Sequence, residues 1–293
     1  MRTSVRATSV TAFALGVLLM SAACGPSSKT PQTVSTTSAS LTNPVPSSSA
    51  GRASPATPTA TTSTTSSKST IRPSTTTPTA TTAPSLVARV VSRIPTSRKV
   101  IALTFDAGAN GDGVDSILAT LARDKVAGSF FLTGDFVDSY PTLARRMSAM
   151  GRLGNHTTNH PHLPAMTDAQ VRRQIAGART TILSVTGEDP RPLFRFPFGD
   201  SSPYDLEIVS TLGYVTIGWT VDSLGWQGTS GGQSVDSIVQ RVLHAAAPGE
   251  IVLMHVGSHP TDHSTLDANA LPRVISGLRA AGYGFVTLDT LVP

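Results

Sequence analysis

Residues 87–293 predict an α/β fold in which parallel strands close into a compact barrel, and three observations carry that expectation. Short β-rich apolar runs alternate with segments of helical periodicity, the pattern of repeated strand–helix–strand units. About 200 residues with this many units suit a barrel. Asp106, Arg195, Asp222 and His255 all fall at or just after expected strand ends, the end of a barrel where functional groups gather.

Lys99 to Phe105 is β-rich and stops at Asp106, and Gly108, Gly111 and Gly113 follow, so a strand feeds a loop. Ile117, Leu118 and Leu121 recur at helical spacing up to Arg123. Ser129 to Leu132 reads as a second, buried strand. Pro141 opens a helix to about Met150, because a missing N–H costs nothing in a first turn. Arg152 and Leu153 lead into a histidine-rich stretch at 154–162. Thr167 and Asp168 cap a long helix through Ile175 and Ile182. Leu193 to Phe196 is a strand, and Pro203 to Leu212 a helix. Strands are expected at Tyr214 to Trp219, Ile251 to His255 and Phe285 to Leu288, with a helix from about Ala270 to Ala280 before the last.

The rest of the chain is of another kind. No acidic residue occurs before Asp106, and six Lys and Arg residues lie in the first 85 positions. The remaining seventeen basic residues meet all eighteen acidic ones, so the basic balance belongs to the tail. A near-neutral folded part argues against nucleic-acid binding, which needs a basic face. Arg2 and Arg6, the apolar run Thr11 to Met20 and the small residues Ser21-Ala22-Ala23 read as an export signal ending before Cys24. The apolar run is short for a transmembrane helix. Cys24 is the only cysteine, which excludes a disulfide within one chain. Its setting resembles a bacterial lipoprotein box, with Ser21 where that pattern prefers Leu. Residues 25–86 are largely Ser, Thr, Pro and Ala, too poor in apolar surface to offset chain entropy, and are expected to be a disordered tether.

His156 and His160 stand four residues apart, a spacing that puts two imidazoles on one face of a single helical turn. Neutral imidazoles are ready ligands for a divalent metal, and a catalytic metal typically takes three protein ligands. The third ligand must come from elsewhere in the chain.

TFDAG at 104–108, HTTNH at 156–160, RFPFG at 195–199, DSLGW at 222–226 and LMH at 253–255 together resemble the polysaccharide deacetylase family, the NodB-homology carbohydrate esterases. All five motifs stand in the family's order. The resemblance implies a distorted (β/α)7-type barrel and metal-dependent removal of N- or O-acetyl groups from a polysaccharide. It implies His156 and His160 as metal ligands, Asp106 as general base and His255 as the acid that protonates the leaving amine. Arg195 would pair with Asp106, and the backbone N–H of Phe198 would hold the oxyanion. Trp226 and Leu253 would wall the acetyl pocket. The implied cofactor is a divalent metal, Zn2+ before Co2+ or another divalent ion.

Two positions depart from the family pattern. Ala107 stands where the family has a metal-ligating Asp, which leaves Asp112, Asn110, Asp106 itself or water as candidates for the third ligand. Gly225 stands where the family has an Asp that tunes the acid histidine, and Asp222 is the expected substitute for orienting His255. The expected whole is an exported monomer, lipid-anchored through Cys24 and acting on an acetylated glycan, peptidoglycan first. A glycan-binding module without chemistry, or a hydrolase of a small amide or cyclic imide, are the alternatives.

Overall fold

A computed structural model describes residues 88–291. The expected export signal with Cys24 and the expected linker at 25–86 lie outside the described residues. Among the described residues no helix is long and apolar enough to cross a membrane.

Among the described residues nine strands form one sheet: β1 Val90–Val91, β2 Val100–Ala107, β3 Gly128–Leu132, β4 Gly151–Asn155, β5 Leu193–Phe194, β6 Val215–Ile217, β7 Val221–Asp222, β8 Glu250–His255 and β9 Gly284–Phe285. Every ladder between them is parallel, in the order β1-β6-β5-β4-β3-β2-β8-β7, with β9 also on β2. The chain after β1 curls the sheet closed: Arg93 bridges Glu250 at the foot of β8, and the Ile94 amide donates to Gly249 O at 2.8 Å. The result is the distorted barrel that the sequence led us to expect.

Seven helices among the described residues cover it: α1 Val114–Asp124, α2 Gly134–Ser139, α3 Pro141–Ser148, α4 Asp168–Thr186, α5 Pro203–Thr211, α6 Val235–Ala245 and α7 Leu266–Ala280. Thr167 and Gln170 form a capping box on α4, and Gly187 ends that helix in the left-handed region. Ser202 and Asp205 do the same at the start of α5, with Pro203 in its first turn.

Strand alternation decides which residues meet the site. On β2, Ile101, Leu103, Phe105 and Ala107 join the layer between sheet and helices, with Ile117, Leu121, Leu271 and Ile275. Ala102 faces the barrel interior with Phe131, Leu193, Ile217 and Ile251. Asp106 is two steps along from Thr104 on that inner face, at the top of the strand. Asp106 and Ala107 therefore look in opposite directions.

Several expected elements differ in extent. The strand expected over Leu193 to Phe196 stops at Phe194, because Pro197 begins a single 3-10 turn. The last strand is two residues long and precedes a 3-10 turn at Leu288–Leu291. Helices α2 and α6 were not anticipated.

Candidate active site

The upper end of the barrel opens into a cleft of about 580 Å3. Asp106, His156, His160, Phe198, Asp222, Trp226, Leu253 and His255 all line it. Arg195, the ninth residue singled out from the sequence, lies fully buried beneath it. Its guanidinium donates to Asp106 Oδ1 at 2.7 Å and to Gly218 O at 3.1 Å, and lies 4.1 Å from the centre of the Phe131 ring. One carboxylate oxygen is thereby fixed, and the other is left for the cleft.

The histidine pair does not stand on a helical turn. His156 follows β4 directly, and the loop to His160 contains two left-handed residues, Thr157 at φ 71° and His160 itself at φ 59°. Side chains hold this conformation in place of a helical ladder. Asn155 Oδ1 accepts the Thr157 amide at 2.9 Å, while Asn155 Nδ2 donates to Ile175 O and to the Tyr214 hydroxyl. Thr157 Oγ1 accepts the His160 amide at 3.1 Å. Gln174 of α4 accepts the Thr158 amide at 3.0 Å. The loop still brings the two imidazoles to a centroid distance of 4.7 Å, so the expected proximity survives although its expected cause does not.

His156 is buried, and its Nδ1 lies 2.8 Å from Arg195 O. A carbonyl oxygen can only accept, so Nδ1 carries the proton. Burial lowers the pKa of His156 and outweighs the pull of Asp106. The neutral ring then aims the Nε2 lone pair at Asp106 Oδ2, 3.4 Å away. Two acceptors facing each other in a buried site suit a cation between them. His160 is likewise held neutral, with its pKa lowered to about 4 by burial and by the neighbouring His156. This donor set fits a divalent metal, as neutral imidazoles and an ionised carboxylate must. Burial opposes ionisation of Asp106, but the Arg195 guanidinium foremost, by charge and hydrogen bond, outweighs it and holds the carboxyl below its usual range.

Among the described residues no three His, Cys, Asp or Glu side chains already form a ready-made metal cluster. Ala107 supplies no ligand atom and lies in the apolar layer. Asn110 and Asp112 are spent elsewhere. Asn110 Oδ1 accepts the Ser258 amide at 2.8 Å and its Nδ2 donates to Ser258 O, while Asp112 accepts the Ser258 hydroxyl at 2.5 Å. They clip the loop after β2 to the loop after β8.

His255 closes β8 opposite Asp106 in register. Burial would lower its pKa, but Asp267, Asp106 and Asp222 outweigh that and raise it. The expected orienting contact from Asp222 is not the one found. Asp222 accepts the Leu224 amide at 2.9 Å and the Trp226 indole N–H at 3.3 Å. Beside His255 stands Asp267, from the first turn of α7, whose Oδ2 accepts the His255 amide at 2.8 Å and lies 3.7 Å from Nδ1. Sequence reading missed Asp267, since a carboxylate opening a helix twelve residues after a histidine has no distinctive spacing. It also missed Trp219, which shares the cleft and flanks the Arg195 guanidinium.

Aromatic rings form the rim. Phe198, at φ 59° in the turn after β5, is exposed, stacks on His162 at 4.0 Å and meets His160 edge-on at 4.5 Å. Trp226 is half exposed, whereas Leu253 is buried at the floor.

The polysaccharide deacetylase family model matches residues 93–217. A peptidoglycan-N-acetylmuramic acid deacetylase of Bacillus subtilis is 32% identical over 198 residues, covering 67% of this chain and 73% of the relative. A peptidoglycan-N-acetylglucosamine deacetylase of Bacillus cereus is 30% identical over 198 residues, covering 67% and 70%. Among solved structures, a CE4-family pseudoenzyme from Bacillus anthracis is similar at TM-score 0.64 and 26% identity, covering 70% of this chain and 69% of that one. On the strength of its sequence relatives and its barrel, this chain belongs to the polysaccharide deacetylase family of hydrolases.

Proposed function

We propose that this protein hydrolyses N-acetyl groups of cell-wall peptidoglycan, with Asp106 as base and His255 as acid. The supporting observation is the pairing of an ionised, Arg195-anchored carboxylate with a histidine of raised pKa across adjacent strands of one cleft. The two carry opposite proton tasks because their surroundings shift them to opposite states. Asp106 takes a proton from water as its oxygen attacks the acetyl carbon. His255 gives a proton to the nitrogen as the C–N bond breaks, leaving acetate and a free amine. His156 and His160, with Asp106 Oδ2 beside them, would hold a divalent metal such as Zn2+, which when bound lowers the pKa of water and polarises the acetyl carbonyl. The Phe198 backbone N–H serves the developing oxyanion, and Leu253 supports the acetyl methyl.

The exposed Phe198 and Trp226 support a polymer substrate over a small amide, since both rings stand on an open rim. Peptidoglycan is preferred because both relatives above carry it in their names. The proposal includes export, with lipid on Cys24 and residues 25–86 as a tether. Labelled fatty acid incorporated into the native chain, and lost in Cys24→Ala, tests the anchor. Acetate release from peptidoglycan, abolished by chelation and by Asp106→Asn, tests the chemistry.

Ala107 and the likeness to a pseudoenzyme favour one second reading, a glycan-binding module without turnover. It predicts binding to the same glycan without acetate release, undisturbed by Asp106→Asn.

A further inference from the structure

Gly225 and Asp267 compete for one volume. A Cβ added to Gly225 would lie 2.5 Å from Asp267 Cγ and 2.8 Å from Oδ2, well inside contact distance. Gly225 is not among the glycines with positive φ, so its backbone does not require glycine. What excludes a side chain there is the Asp267 carboxylate.

That carboxylate is 3% exposed, and its Oδ1 has no hydrogen-bond partner among the described residues. His255 Nδ1, buried and equally unpartnered, lies 3.7 Å from Asp267 Oδ2. A buried ring nitrogen without a partner, beside a carboxylate whose Oδ2 holds only the His255 amide and whose Oδ1 holds nothing, is costly unless the two serve each other. A small turn of either side chain would bring Nδ1–H onto the carboxylate, which would fix the tautomer and leave Nε2 free for the cleft.

We infer that Asp267 is the positioning residue of His255, delivered from α7 into the space that Gly225 leaves open. This rests on the proposed role of His255 as the acid. Asp267 does not touch substrate; it orients the imidazole and stabilises its charged form. A carboxylate carried at position 225 would start within reach of the same volume, so the function should be transferable between the two positions.

The test uses the full chain with Zn2+ or Co2+ and an N-acetylated glycan. Asp267→Asn keeps the shape and an acceptor for the His255 amide, and lowers kcat about tenfold or more with KM within about twofold. Asp267→Ala does the same, and Gly225→Asp/Asp267→Ala recovers most of the loss. Unchanged kcat in Asp267→Asn, or no recovery in the double variant relative to Asp267→Ala, would overturn the inference. Loss of fold in Asp267→Ala shifts the decision to Asp267→Asn. A 15N-labelled chain gives a readout independent of turnover: His255 Nδ1 is protonated and protected from exchange, and Asp267→Asn removes that protection. Equal protection in both chains would count against it. A wild type inactive with every divalent metal refutes the proposed function instead, and the nitrogen spectrum then decides the role of Asp267 alone.

Discussion

His156 Nε2 and Asp106 Oδ2 face each other across 3.4 Å, and both present lone pairs. The other atom of each group is already committed, His156 Nδ1 to a carbonyl and Asp106 Oδ1 to Arg195. Asn110 and Asp112 are bound to Ser258, and Ala107 faces the helix layer. In the proposed function Asp106 is therefore the third ligand beside the imidazoles. Asp106→Asn and His160→Gln are each expected to weaken Zn2+ binding about tenfold or more, read by calorimetric titration of metal-free protein. Full affinity in Asp106→Asn would show that the carboxylate acts as base without touching the ion.

Arg195 is the largest fully buried side chain among the described residues and the principal counter-charge of Asp106. Removing it leaves a carboxylate buried without its partner, which costs about 3–5 kcal/mol. Arg195→Ala is expected to lose stability on that scale in chemical denaturation. Arg195→Ala combined with Asp106→Asn should lose less than the sum of the two single variants, because no stranded charge remains.

Glu250 gives the fold a pH dependence of its own at the closed end of the barrel. It is fully buried, its Oε2 accepts the Ala247 amide at 3.1 Å and its Oε1 has no partner among the described residues. Burial pushes its pKa up to about 7, against smaller opposing effects of the Ala247 amide and Arg93. The folded state thus holds a proton that the unfolded chain releases near pH 4.5. Stability from this group is complete below that value and is lost as the pH rises through about 7, by up to about 3 kcal/mol. Glu250→Gln should flatten denaturation midpoints measured between about pH 5 and 8. An undiminished slope would assign the dependence to another group.

Trp226 stands half exposed, with its indole N–H on Asp222. Such a ring contributes contact area to a sugar without entering the chemistry. Trp226→Ala is expected to raise KM for a polymeric glycan about five- to tenfold, on the order of 1 kcal/mol, with kcat nearly unchanged. A fall in kcat with constant KM would move Trp226 into the reacting centre.

The parallel barrel was legible because β2, β3 and β8 are short, continuously buried β-rich runs, and because Ile117, Leu118 and Leu121 recur at helical spacing between the first two. Helix α6 carries the same kind of signal, with Ser234 and Ser237 capping a face of Ile238, Val239 and Val242. The site was legible as far as motif residues go: eight of the nine singled out line one cleft and Arg195 lies under it. The loop shape at His156 was not. Spacing of four suggests a helical turn, but Asn155, anchored to the distant Ile175 and Tyr214, holds the Thr157 amide, and Gln174 of α4 holds that of Thr158, in a loop with left-handed backbone. Asp267 was hidden for the same reason, because its meeting with His255 and Gly225 depends on how α7 returns to the sheet.

The central claim is that two imidazoles and Asp106 bind a divalent metal and cleave acetamides although Ala107 supplies no ligand. Acetate released from N-acetylated peptidoglycan by the full chain, stripped of metal and then titrated with Zn2+ or Co2+, tests it most directly. The account predicts no release from the stripped protein, restoration on adding metal, and none in Asp106→Asn at any metal concentration. Release that is indifferent to chelation, or none with any divalent ion across several acetylated glycans, would contradict it.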